Sequence, residues 1–239
     1  MHSVALLIAA SLLVPQGDVA ALAPEPSYAL RVCERQPSGI AQLSSEQELL
    51  FDAADGELNH LSLLEAAVYA GGDASAADWE KLSDQFLSAC EDFQPQAADQ
   101  KSEREVAQEI FELLHAKLLV GKYQARCSDC AVSLEDGDYN CVTATVLYIE
   151  ALRKHGIKAQ PFAMVGHVFC RVGDEQFDVE TTCARWFRLS RDEANNAARR
   201  AAPGRAQARA EARELSDVQL IGKIYYNRGV ACFKSGDLE

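Results

Sequence analysis

The fold is decided by residues 138–156, DYNCVTATVLYIEALRKHG. Asp138 and Asn140 are capping residues directly before Cys141, and apolar residues then recur at helical spacing. Basic residues at the end of this segment suit the negative pole of a helix, and the glycine that follows them is a favourable cap. We therefore predict a helix that begins at Cys141 and ends at Gly156.

Beyond this helix the spacing of apolar residues changes to a period of two, which is typical of strands. Three runs show this alternation: 159–165, 167–172 and 176–180. The segment before Cys141 has helical spacing instead, over 44–93 and 102–119. We expect an α+β domain in which helices come first and a small antiparallel sheet packs against the Cys141 helix.

Gly173-Asp174 is a candidate two-residue hairpin loop. Closing the hairpin there pairs Val172 with Glu175, Phe169 with Asp178, and His167 with Glu180. Asp178 is then the diagonal neighbour of His167 on one face of the sheet, within reach of a side-chain hydrogen bond. A four-residue loop preserves that face, whereas a three-residue loop without a bulge destroys it.

Cys141, His167 and Asp178 are the candidate catalytic residues. The positive pole of a helix favours thiolate over thiol, so a cysteine at a helix N-terminus is a good nucleophile. A histidine against it can take the thiol proton and later protonate a leaving amine, while a carboxylate fixes the imidazole tautomer. The amide of Cys141 is one expected donor to an oxyanion, and the sequence identifies no second donor. Singly, a strand histidine is more often a packing residue, and a cysteine in an exported protein is more often half of a disulfide.

Residues 139–182 resemble the core of the transglutaminase-like superfamily of thiol hydrolases and acyltransferases. The resemblance lies in YNCVTATVLY (139–148), Gly156, GHV (166–168) and FDVETT (177–182), and the preceding helices are similar to a bacterial branch of that family. It implies a Cys141, His167 and Asp178 triad that acts on amide bonds of a protein or peptide through an acyl-thioester. Hydrolysis and acyl transfer both stay open. The resemblance implies no cofactor and no metal.

Two other functions compete with the enzyme. One is a non-catalytic module that uses this fold and its C-terminal helix to bind a protein partner. The other is a cysteine-rich metal protein. Cys127-Ser128-Asp129-Cys130 has the spacing of half a zinc site, but a regular second pair is missing, so we favour a structural disulfide or a loop beside the active site.

The N-terminus and the cysteine content indicate export. Residues 4–14 are an apolar run with the length of a signal-peptide core, too short to span a bilayer, and small residues follow it. We predict a signal peptide over 1–23, a periplasmic or extracellular protein, and no integral membrane segment after cleavage; an apolar helix that stays with the fold is the alternative. Eight cysteines in an exported chain suggest disulfides, with Cys33 and Cys90 as a plausible pair.

Residues 24–187 form the predicted helical region and transglutaminase-like domain, followed by an Ala/Arg-rich linker or helix over 188–215. Residues 216–239 resemble the first helix of a tetratricopeptide repeat, which implies a protein partner. As half a repeat, the helix either belongs to a truncated array or packs on the domain before it. The net charge of −13 argues against binding to nucleic acid or anionic lipid.

Overall fold

The computed structural model describes residues 43–72, 74–91, 101–174, 176–185, 187 and 212–236. The helices and strands in these residues follow in the order α1 (Ser45–Asp52), α2 (Leu63–Gly71), α3 (Ala76–Glu91), α4 (Glu103–Lys117), α5 (Cys130–Glu135), α6 (Cys141–Lys154), β1 (Ala159–Met164), β2 (His167–Val172), β3 (Phe177–Val179), β4 (Arg213–Glu214) and α7 (Asp217–Ser235). The predicted signal peptide, Cys33 and most of the Ala/Arg-rich segment lie outside the described residues, so the predictions about them stay predictions.

The helix predicted from residue 141 is confirmed, and it is the central helix of the core. It begins at Cys141, and Gly156 follows its end with a φ of 72°, a conformation that glycine adopts without strain. Apolar residues on all sides of α6 are buried, which is typical of a helix enclosed by its neighbours. It packs against α2, α4, β1 and β2.

The sheet is antiparallel, with the strand order β3-β2-β1-β4. Val168, Cys170 and Val172 of β2 are buried in the same core as the apolar residues of α6. This arrangement confirms the α+β expectation. Since β1 follows α6 and packs back along it, the β1–β2 turn and the start of β2 lie at the N-terminal end of α6.

The β2–β3 hairpin differs from the prediction by two residues. Val172 pairs with Phe177, and Arg171 pairs with Asp178, so the loop has four residues and the predicted two-residue loop is wrong. The loop is held from α4, where the Glu103 carboxylate accepts a hydrogen bond from the Asp174 amide at 3.1 Å and lies where a Cβ on Gly173 would stand. Because the shift is even, the same side chains still share one face.

The C-terminal helix α7 packs on the domain. Leu220, Ile221 and Ile224 are buried, and the helix contacts α2 and α6. Two polar side chains hold it further: Asn227 donates to the Ser128 hydroxyl at 2.9 Å, and Arg228 donates to the Ala70 carbonyl at 2.7 Å. Of the two arrangements considered for this helix, packing on the preceding domain is therefore present from its start as far as Arg228.

Among the described residues, no helix combines the length and apolar character needed to cross a membrane. The seven cysteines within them are free thiols, and Cys90, Cys130 and Cys170 are buried. In the same part of the chain, no group of three or more His, Cys, Asp or Glu side chains is placed to hold a metal ion.

Candidate active site

Cys141 is the first residue of α6, and the residue before it builds the helix end. The Asn140 side-chain oxygen accepts hydrogen bonds from the amides of Val142 at 2.8 Å and Thr143 at 3.0 Å. In return, the Thr143 hydroxyl accepts from the Asn140 amide at 3.0 Å, which completes a capping box. The amide of Cys141 is not part of this box. The half-buried thiol thus stands at the positive pole of a well-fixed helix.

The side chain of Asn140 is held by Ser128, which also contacts the C-terminal helix. The Asn140 side-chain nitrogen donates to the Ser128 hydroxyl at 2.7 Å, and the same hydroxyl accepts from Asn227 of α7 at 2.9 Å. Asn140 is 1% exposed and Ser128 is 5% exposed, so the Asn140 side-chain amide and the Ser128 hydroxyl depend on protein partners rather than on water. The start of α6 is therefore tied to the C-terminal helix through one buried serine.

The Cys127–Cys130 segment is a loop beside the site, as one of the two preferred interpretations expected. Both cysteines are free; the Cys127 thiol donates to the Asp138 carbonyl at 3.3 Å, and Cys130 begins α5. Burial raises the pKa of both thiols, for Cys130 well above its usual range. A raised pKa favours the protonated thiol, so burial makes both cysteines poorer nucleophiles than an ordinary thiol, Cys130 above all.

His167 opens β2 and lies against Cys141. Its side chain is 13% exposed, and its Nε2 is 2.6 Å from the Glu180 carboxylate. Burial by itself lowers the pKa of the imidazole. Hydrogen bonds to the Cys141 side chain and to Glu180, with the charges of both groups, outweigh burial and raise the pKa of His167 to about 9. The imidazole is therefore largely protonated at neutral pH and can act as a proton donor.

The third residue of the site is Glu180, where Asp178 was predicted. The Asp178 carboxylate accepts from the Arg171 guanidinium at 2.8 Å, directly across the β2–β3 pair. The register shift of two residues is the physical reason, because it moves the diagonal neighbour of His167 from Asp178 to Glu180. The predicted contact between His167 and Asp178 is thus replaced by a contact between His167 and Glu180.

The turn that carries Glu180, which we call the acid turn (residues 180–182), is fixed to two helices. The Thr181 hydroxyl lies 2.9 Å from the Thr145 hydroxyl, one helical turn beyond Cys141 on α6. The Thr181 carbonyl lies 3.1 Å from Nε2 of His115 on α4. Burial lowers the pKa of His115 against the opposing effect of that hydrogen bond, so the imidazole is neutral and donates to the carbonyl.

Aromatic side chains pack together close to the start of α6. Tyr139, two residues before Cys141, is buried and makes an edge contact with His115, with ring centroids 5.8 Å apart. Tyr123 makes an edge contact with Tyr139 at 6.1 Å and is 49% exposed. The partly exposed ring of Tyr123 thus extends this aromatic group from buried Tyr139 to the surface.

Cys141 and His167, which the sequence predicts as nucleophile and base, lie in contact in the structure, whereas Glu180 as the carboxylate bonded to His167 and the threonines of the acid turn were not predicted. The signal for Glu180 was present, since the period of two places it on the same face as His167. The contacts of Thr145 and His115 with the acid turn join residues that are distant in sequence, and spacing carries no such information.

Comparisons with protein-family models, curated proteins and solved structures return no match for this chain.

Proposed function

We propose that this chain is a transglutaminase-like thiol enzyme that acts on amide bonds through an acyl-thioester at Cys141. The observation that carries the proposal is the continuous chain of contacts from the Cys141 side chain to His167 and from His167 to Glu180 at 2.6 Å. In this proposal His167 is the general acid and base, and Glu180 orients it in place of the predicted Asp178.

The first half-reaction forms the acyl-enzyme. Glu180 occupies Nε2 of His167, which leaves Nδ1 for the thiol. Because the His167 imidazole is protonated in the resting site, the proton of Cys141 already lies on Nδ1, and the Cys141 thiolate attacks the amide carbon, so that a C–S bond forms and the carbonyl oxygen becomes an oxyanion. The Cys141 amide at the start of α6 donates to this oxyanion. The imidazolium then protonates the amine as the C–N bond breaks, and the thioester remains on the enzyme.

The second half-reaction releases the acyl group. Water or an amine gives a proton to Nδ1 and attacks the thioester carbon, and the C–S bond breaks. The products are a carboxylic acid from water or a new amide from an amine, and the thiolate regains its imidazolium partner. Peptidase, amidase, isopeptidase and acyl-transfer activities share these steps. Under the predicted export, the substrate is a protein or peptide outside the cytoplasm.

Protein binding through α7 is a second candidate function. The outer half of the helix is exposed, with Tyr226 at 43% and Phe233 at 72%. Large apolar side chains in water are typical of surfaces that meet a partner, although scattered ones also occur on ordinary surfaces. This function is compatible with the enzyme and does not depend on Cys141.

The test is turnover of a defined library of N-acetylated peptides by the purified full chain, read by mass spectrometry. Each hydrolysed amide gives a new free amine, and acid quenching preserves an acyl adduct on Cys141. We expect both signals to be lost in Cys141→Ala and kept in Cys232→Ala, which removes an exposed thiol. Added methylamine separates transfer from hydrolysis. Turnover retained by Cys141→Ala would refute the enzyme proposal, and absence of both signals in the wild-type protein would favour the binding function.

A further inference from the structure

The acid turn fixes both oxygens of the Glu180 carboxylate. Oε2 meets Nε2 of His167 at 2.6 Å. Oε1 accepts from the Thr182 hydroxyl at 2.8 Å and from the Thr182 amide at 3.4 Å. A carboxylate held at both oxygens cannot rotate about its last side-chain bond, so its plane and its direction are both set.

The backbone on which Glu180 and Thr182 stand is held independently of them. Thr181, between the two residues, is 1% exposed and contacts Thr145 and His115. The acid turn is thereby attached to α6, which carries Cys141, and to α4. The Glu180 side chain extends from this framework through three rotatable bonds, and the hydrogen bond from the Thr182 hydroxyl is a local restraint on its orientation.

We infer that Thr182 is a positioning residue, whose hydroxyl holds the Glu180 carboxylate in the one orientation that meets His167. The inference rests on the proposed function, because it concerns the base of that site. Thr182 transfers no proton and touches no reacting atom. Without its hydroxyl, the carboxylate turns toward water, and the His167 imidazole loses the hydrogen bond and part of the negative charge beside it.

The charged groups that act on His167 are Glu180 of the acid turn and Cys141 of α6. A weaker contact with Glu180 therefore has a direct readout in the pKa of His167. We expect Thr182→Val, which keeps the shape of the side chain, to lower this pKa by about one unit, a tenfold rise in the proton dissociation constant. Thr182→Ser keeps the hydroxyl and should retain the wild-type value. A loss of packing alone would not sort the variants in this way.

The experiment is a histidine NMR titration of the full chain, with the wild-type protein, Thr182→Val, Thr182→Ala and Thr182→Ser. The chain has five histidines, and the His167 signal is assigned by its loss in His167→Ala. Thr182→Ala gives a second variant without the hydroxyl should the valine variant not fold. The inference predicts a lowered pKa in Val and Ala and an unchanged pKa in Ser. If His167 keeps its wild-type pKa in a folded variant that lacks the Thr182 hydroxyl, the inference is overturned.

Iodoacetamide labelling of Cys141 in the same samples separates this inference from the proposed function. If wild-type Cys141 reacts at pH 6 and a variant without the hydroxyl titrates like the wild type, the role of Thr182 is wrong while the thiol enzyme stands. If wild-type Cys141 does not react at all, the proposed function fails, and the role of Thr182 fails with it.

Discussion

Glu180, and not Asp178, should control the reactivity of the site. The structure supplies a matched pair of substitutions, because both carboxylates lie on the same face, Glu180 lies 2.6 Å from His167, and Asp178 stands opposite Arg171, further along β2 from His167. Glu180→Gln keeps the size and shape of the side chain and removes its charge. Asp178→Asn makes the same chemical change two residues away, at a carboxylate engaged by Arg171.

The expected magnitude follows from the pKa of His167. A value of about 9, against an ordinary value of about 6.5, corresponds to about 3 kcal/mol in favour of the imidazolium. Cys141 and Glu180 share this effect and also overcome burial, so removal of the Glu180 charge should lower the pKa of His167 by at least about one unit. General acid–base catalysis contributes about 10²–10⁴-fold, and we expect Glu180→Gln to lose at least about 10²-fold in kcat/KM.

The assay combines the histidine titration with kcat/KM on a peptide that the wild-type protein cleaves. We expect Asp178→Asn to change kcat/KM by less than about threefold, or about 0.7 kcal/mol in the activation free energy, because Asp178 is paired with Arg171 and stands opposite it in the sheet. If Asp178→Asn loses as much activity as Glu180→Gln, or if Glu180→Gln leaves the pKa of His167 unchanged, the assignment of the third residue is refuted.

Three further predictions concern stability, and urea unfolding of the full chain measures all of them. Asn140→Ala should lower the free energy of unfolding by about 1 kcal/mol or more, because it removes the cap of α6, and an unchanged value would contradict the capping role. Asn227→Ala should cost about 1 kcal/mol through its bond to Ser128, whereas the exposed neighbour change Tyr226→Ala should stay within about 0.5 kcal/mol; equal effects would argue against that bond. The third prediction is a pH dependence of the free energy of unfolding. Because the pKa of His167 is raised in the folded state, protonated His167 stabilises the fold fully below the unfolded-state pKa of about 6.5, and this stabilisation is lost as the pH rises through about 9. The stability difference between the wild-type protein and His167→Ala should therefore shrink over this range, and a difference that grows would contradict the raised pKa.

Local chemistry was sufficient to predict the part of the fold that carries Cys141. Asn140 is a strong capping residue, the apolar spacing after Cys141 is helical, and Gly156 suits a helix end, so three local signals agree. The strands that follow alternate with a period of two, and the face shared by His167 and Glu180 was predicted from that period together with a hairpin loop of even length. These features depend on neighbours in sequence, which is why they could be predicted.

The exact partner of His167 could not be predicted, because it depends on a contact between distant residues. The Glu103 carboxylate on α4 holds the β2–β3 loop at Gly173 and Asp174, about 70 residues further along the chain. The loop held by this contact has four residues and not the predicted two. The resulting register places Glu180, and not Asp178, beside His167. The packing of α7 on the domain likewise depends on residues that are distant in sequence, since Asn227 and Ser128 are 99 positions apart.

The activation of Cys141 by His167 is the central claim, and the pH dependence of iodoacetamide labelling tests it most directly. Peptide mass spectrometry follows Cys141 and the exposed Cys232 in the same native sample, so Cys232 serves as an internal control. The account predicts that Cys141 is labelled well below pH ~8.5, where an ordinary free thiol is largely protonated, and that His167→Ala removes this labelling without changing that of Cys232. Labelling of Cys141 that follows Cys232 at every pH, or that is unaffected by His167→Ala, would contradict it.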